Sequence, residues 1–217
     1  REGFLRTASA GVGYGTLDCF RLSGDYTDVN FLKKARRLEL SGRVSKIGVG
    51  DPLDVAPGLC VPQVQDDPFS EKLNYYAGAT LRTPLLFGLT FPTITLYSER
   101  RSEYKAFLRT TPVALGVSRT WPRGLAVPLT LSYSLEYGRT EAQPALFCAA
   151  FNLCTVEDRR RVLEYRRLAV AGLSAERGRT DDPVNPTRGL LLRLDARHAS
   201  RLVGSDPLQQ FDQLTGT

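Results

Sequence analysis

Hydrophobic and polar positions alternate with period two across residues 37–44, 125–137 and 190–197. One register carries Leu38, Leu40, Gly42 and Val44, then the odd positions from Leu125 to Tyr137, then the even positions from Leu190 to Ala196. The other carries Arg37, Glu39, Ser41 and Arg43, then the even positions from Ala126 to Glu136, then the odd positions from Leu191 to Arg197, polar except at Ala126, Pro128 and Leu191. Successive side chains of a strand point to opposite faces, so this pattern predicts strands with one apolar and one polar face, not helices. Extended along the chain, it predicts ten strands, at 4–14, 19–28, 35–47, 71–82, 89–100, 103–112, 125–137, 163–175, 187–199 and 205–217. Most are longer than the roughly five to six residues of a globular strand. They match the roughly 9 to 11 residues that a tilted strand needs to cross a bilayer.

The connections after even-numbered strands are predicted at 29–34, 83–88, 112–124 and 176–186, whereas the two longest, 48–70 and 138–161, both follow odd-numbered strands. Antiparallel alternation then gathers the long loops at one end, as in outer-membrane barrels with short periplasmic turns and long external loops. Cys19, Cys60, Cys148 and Cys154 fall at that same end. Their spacing fits neither a CxxC metal site nor a dense disulfide scaffold. In an oxidising exterior Cys148 with Cys154 is the expected local disulfide and Cys19 with Cys60 a second pairing; buried free thiols are the alternative.

Alternation alone does not distinguish a membrane barrel from a soluble barrel or sandwich with its apolar face inward. Strand length, one-sided loops and aromatic residues near strand ends (Phe4, Tyr14, Phe20, Tyr26, Tyr75, Tyr137) favour an all-β, antiparallel transmembrane barrel. The 42% hydrophobic and 24% charged content excludes a disordered tail. The longest apolar run, Ala145 to Phe151, is too short for a membrane helix. No signal-peptide pattern opens the chain, which reads as a piece of a longer protein.

The net charge of +6, from 29 Lys and Arg against 23 Asp and Glu, is spread along the strands, so no nucleic-acid partner is expected. The densest basic patch, Arg159 to Arg161 with Arg166 and Arg167, is the one place where an anionic partner merits a test. No phosphate loop or metal-ligand cluster is present, so no cofactor, metal or catalytic residue is expected. A Ser-His-acid site would have to use His198, the only histidine, with Asp195 and Ser200. His198 lies in the apolar register and Asp195 in the polar one, so an interfacial histidine is expected and no enzyme.

More specific text lies in Gly11-Val-Gly-Tyr-Gly-Thr16, Arg21-Leu-Ser-Gly-Asp-Tyr-Thr-Asp-Val-Asn-Phe-Leu32, Arg36-Arg-Leu-Glu-Leu40, Arg82-Thr-Pro-Leu-Leu-Phe87, Asp182-Pro-Val-Asn-Pro-Thr-Arg-Gly189 and Gly204-Ser-Asp206. In order and spacing this series resembles the barrel of the BamA/TamA outer-membrane assembly family. The resemblance implies that residues 1–217 form one barrel domain, supplying the first ten of sixteen strands in the bacterial outer membrane. Periplasmic POTRA domains and the later strands would lie beyond it. It further implies an insertase or translocase whose partners are outer-membrane lipids, client β-barrel proteins and accessory assembly subunits. A passive pore or a two-partner-type secretion barrel is the competing class.

In such a family the first strand forms a weak seam whose edge templates client strands, here Phe4, Arg6, Ala8, Ala10, Gly11, Val12, Gly13 and Tyr14. Small residues there fit a deformable edge; the alternative is that its glycines simply permit close packing. Lys33-Lys34-Ala35 stand where the family commonly has Gly-x-Gly, which leaves that turn's conformation open. Arg6, in the apolar register, is expected to snorkel at the periplasmic edge. Arg37, Glu39, Arg43, Lys105, Arg109, Arg193, Asp195 and Arg197 are expected to face a watery lumen and pair across strands, because Lys or Arg facing mid-bilayer lipid costs about 2–4 kcal/mol.

Overall fold

A computed structural model describes residues 5–16, 18–53, 69, 71–86, 89–90, 92–103, 106–121, 127–152, 154–180, 187 and 189–216. Its strands are β1 (Arg6–Gly15), β2 (Cys19–Phe31), β3 (Arg36–Ile47), β4 (Asn74–Arg82), β5 (Leu85–Leu86), β6 (Leu89–Thr90), β7 (Pro92–Glu103), β8 (Phe107–Trp121), β9 (Leu129–Ala142), β10 (Arg166–Thr180), β11 (Gly189–Ala199) and β12 (Phe211–Gly216). Two short helices, α1 (Pro144–Phe151) and α2 (Val156–Leu163), interrupt them. Ten strands form one antiparallel sheet in the order β1-β2-β3-β4-β7-β8-β9-β10-β11-β12, while β5 and β6 pair separately. Apart from β5 and β6, strands consecutive in the chain are neighbours in the sheet, and among the described residues no pairing joins β12 back to β1, so the sheet is not closed.

The chain divides into two units, Arg1–Leu81 with Thr95–Ala114 and Tyr137–Arg166, and Arg82–Ile94 with Leu115–Glu136 and Arg167–Thr217. In the first, β1, β2 and β3 pair so that their apolar registers coincide: Val12 faces Leu22, Leu22 faces Val44, Tyr26 faces Leu40. In the second, β10, β11 and β12 do the same, with Leu173 opposite Ala196 and Ala196 opposite Leu214.

Several predicted boundaries move, each for an identifiable reason. A connection is expected to begin at Pro112, over 112–124. Instead β8 runs through it to Trp121, and the alternation slips there: Pro112 and Val113 are both exposed between buried Thr111 and Ala114. Gly138 suggested the end of a strand, but β9 continues to Ala142. A Cβ at 138 would lie 2.7 Å from the Thr110 carbonyl oxygen, so the missing side chain permits a close approach to β8. The predicted loop 138–161 thus begins later and folds into α1 and α2, and β10 starts at Arg166 and runs to Thr180 by pairing with β11.

The last strand, predicted over 205–217, is only Phe211–Gly216. Residues ahead of it form a loop fastened to β10. The Ser205 hydroxyl accepts from the Ala169 N–H at 2.8 Å and donates to its carbonyl at 2.6 Å, and the Asp206 N–H reaches the Arg167 carbonyl at 2.8 Å. Most of loop 48–70, with Cys60, lies outside the described residues, as do Phe4 and Lys105.

Burial is mixed, with Leu108, Ala114, Phe147, Ala169 and Ala199 buried alongside polar residues. Asp28, Ser45, Asn74, Ser102, Thr111 and Ser205 are buried, whereas Leu40, Leu131, Leu190, Leu192 and Leu194 of the apolar register are 41% to 61% exposed. The apolar face of these strands is not packed into a protein interior.

Candidate functional site

β1 is the terminal strand of the sheet, and among the described residues nothing pairs with its outer edge. Every residue from Arg6 to Val12 is exposed, with Val12 at 79%. Its inner edge pairs with β2 along the whole strand, from Arg6 opposite Asp28 to Gly15 opposite Cys19. Among the described residues, side-chain ties are seen near the two ends. At one, Arg6 Nε donates to Asp28 Oδ2 at 3.0 Å, while the Asn30 N–H donates to Oδ1 of the same carboxylate at 2.9 Å. Arg6 therefore does not simply snorkel: its charge is spent on a buried Asp28 in the apolar register. At the other, Tyr14 packs on Phe20 with ring centroids 5.2 Å apart.

Between these ends small residues alternate with larger pairs such as Val12 opposite Leu22. Ala10 faces Gly24, which in turn faces Gly42, and Ala8 faces Tyr26. Gly11 and Gly13 lie in the polar register, where a Cβ would meet Ser23 Oγ at 2.9 Å and Arg21 Nε at 2.7 Å. Their absent side chains let the β2 side chains lie across β1. The glycines thus permit β2 side chains to pack closely across β1.

The turn after β2 is formed without the glycines it would favour. Leu32, Lys33 and Ala35 adopt φ of 57°, 55° and 50°, a left-handed region costing roughly 1–2 kcal/mol per non-glycine residue. Asn30 holds the turn: its carbonyl accepts from the Lys33 N–H at 2.9 Å and its Oδ1 from the Ala35 N–H at 3.1 Å.

A second feature of the same unit is a polar cavity of about 810 Å³ at the loop end of β2, β3, β4 and β7, lined by Asp18, Arg21, Arg43, Glu99 and Arg100 among others. Arg100 closes one wall. Its guanidinium donates to the Lys72 and Leu73 carbonyls at 2.7 and 3.0 Å and to Asn74 Oδ1 at 3.2 Å, and Asn74 is bonded in turn to Ser102. The returning limb of the long loop is thereby clamped to β7, and a backbone bridge between Asp51 and Lys72 joins its two limbs.

No known family and no curated protein matches this chain. The site is therefore read from its own geometry.

The charges predicted to pair across strands pair mostly along them. Arg37 meets Glu39 at 2.6 Å and Arg193 meets Asp195 at 2.7 Å, each two residues apart on one face; Arg109 with Glu99, at 3.9 Å, is a cross-strand contact. Cys148 is disulfide-bonded to Cys154, with their Cα atoms 4.4 Å apart, which ties α1 to the segment leading into α2. Cys19 is also disulfide-bonded, and Cys60, its predicted partner, lies outside the described residues. The basic patch is split between α2 and the start of β10, where Arg166 pairs with Glu164. Among the described residues no group of His, Cys, Asp and Glu is placed to hold a metal.

One constellation was missed. His198 does not approach Asp195, which is bonded to Arg193. Its Nδ1 lies 2.6 Å from Asp212 Oδ1, and its Nε2 lies 2.9 Å from Ser200 Oγ. Asp212 stands directly opposite His198 in the β11–β12 pairing. The available signal was the shared register of 198 and 212, which depended on placing the start of β12 correctly.

Proposed function

We propose that this chain is part of an outer-membrane β-barrel of the BamA/TamA type, which inserts client barrel proteins through the edge of β1. The observation that carries the reading is the exposure of the apolar register: Leu40, Leu131, Leu190, Leu192 and Leu194 are exposed while polar groups such as Asn74, Ser102 and Thr111 are buried. A bilayer is the solvent in which that arrangement is stable, with lipid covering the leucines and water the charged register. The long connections, Cys19 and the Cys148–Cys154 bridge then lie at the external end, and the tight turn at 32–35 is periplasmic.

In lipid, each orphan backbone N–H or C=O costs several kcal/mol, so a client strand has to pair as it enters. The outer edge of β1 offers a row of backbone donors and acceptors for β-augmentation. Its small side chains keep steric resistance low, and its few side-chain ties make opening inexpensive. Clients are β-barrel precursors, with membrane lipid on the apolar face and accessory assembly subunits as further partners.

Depletion of the full-length protein tests the reading. Outer-membrane barrel proteins should fall several-fold and their precursors accumulate in the periplasm; unchanged levels would reject the assembly role in favour of a passive pore.

A further inference from the structure

We propose that Ser200, His198 and Asp212 form a serine-hydrolase site that cleaves acyl esters of membrane lipids. The connectivity is the one such chemistry requires: carboxylate to Nδ1 at 2.6 Å, and Nε2 to hydroxyl at 2.9 Å. An ionised carboxylate only accepts, so Asp212 fixes the proton on Nδ1 and leaves Nε2 as the base facing Ser200 Oγ. The Ser200 hydroxyl makes no capping bond to the short helical turn Arg201–Val203 that follows it, so its interaction is with the imidazole. Antiparallel pairing holds His198 opposite Asp212, and the strand end places Ser200 two residues beyond.

Two observations point to the ligand. A groove of about 480 Å³ adjoins the site, lined by Leu131, Leu173, Ala196 and Leu214 with His198 and Asp212, which suits an acyl chain leading to a polar reaction centre. The pair also interrupts an otherwise apolar register, in which Ala196 faces Leu214 one row away. Ionisable groups are expensive on such a face and mark function there. The lipid substrate rests on the reading of that face as membrane-facing; the identity of the nucleophile does not.

The reaction balances with water as the only co-reactant. Ser200 Oγ attacks the ester carbonyl as its proton passes to His198 Nε2. Collapse of the tetrahedral intermediate breaks the ester C–O bond, and the leaving alkoxide takes that proton to depart as the lysolipid alcohol. Water, deprotonated by Nε2, then cleaves the acyl-Ser200 ester to a fatty acid and restores the hydroxyl.

The test uses the full-length protein, folded in detergent and reconstituted into phosphatidylethanolamine/phosphatidylglycerol vesicles, with heat-modifiable gel mobility confirming that each variant is folded. A fluorophosphonate probe should form an adduct that peptide mass spectrometry places on Ser200 and that S200A lacks. Asp212→Asn should lower hydrolysis of both p-nitrophenyl butyrate and phospholipid at least about 100-fold, whereas Asp195→Asn, on the opposite face, should stay within about two-fold. Absence of the adduct in folded protein, or unchanged turnover in S200A, overturns the site. Hydrolysis of the soluble ester without the phospholipid overturns the lipid substrate. Resistance of the wild-type protein to alkaline extraction from vesicles reports separately on the membrane reading.

Discussion

The two edge strands of the sheet are held in opposite ways. β1 pairs with β2 along its full length, with Arg6 on Asp28 and Tyr14 on Phe20 near its ends, Val12 opposite Leu22 and Ala8 opposite Tyr26 between them, and Gly11 and Gly13 bare beneath β2 side chains. β12 is much shorter, but His198 bonds Asp212, and the loop leading to it is fastened by Ser205 and Asp206 to β10 and by Tyr133, whose hydroxyl donates to the Val203 carbonyl at 2.9 Å. Backbone pairing is common to both edges, so the difference lies in the side chains, where a good cross-strand pair is worth roughly 0.2–1 kcal/mol over Ala–Ala. If β1 opens to clients as proposed, it should prove the looser of the two despite its length.

Substitutions on each edge can break or sharpen this contrast, read by guanidinium unfolding of the folded full-length protein. Ser205→Ala should cost the most, about 2 kcal/mol, because it strips a buried N–H and carbonyl of Ala169 of a shared partner; no loss would remove the tied-down loop from the account. Arg6→Ala should cost about 1 kcal/mol by leaving the buried Asp28 carboxylate with the Asn30 N–H. Solvent screening limits the effect, since the Arg6 side chain is 73% exposed. Ala35→Gly should move in the opposite direction and stabilise by about 1 kcal/mol or a little less, relieving a left-handed φ of 50°. Gly13→Ala should be smallest, within about 0.5 kcal/mol, because the atom it meets belongs to the flexible Arg21 side chain. A loss well above that would show β1 to be tightly packed.

Period-two alternation made most of the strands and their order legible, because each depends on a pattern local in sequence. Features set by a neighbouring strand were not. Pro112 and Gly138 read as breaks, yet β8 absorbs the proline with a slip in alternation and β9 uses the glycine for contact with Thr110. The candidate edge in β1 came from the family resemblance, with which its small residues are compatible. The Arg6–Asp28 pair and the His198–Asp212 pair were not legible, since both require a register between strands, and the second also required knowing that residues 205–210 are loop.

Incorporation of a photo-crosslinking residue at Ala8 or Ala10 of the full-length protein, in cells synthesising outer-membrane barrels, tests the central claim most directly. Adducts with incoming barrel precursors at these positions, and none at Leu192 on the exposed apolar face of β11, would support client pairing at β1. Equal adduct yields at all three positions, or none at β1 while precursors assemble normally, would contradict it.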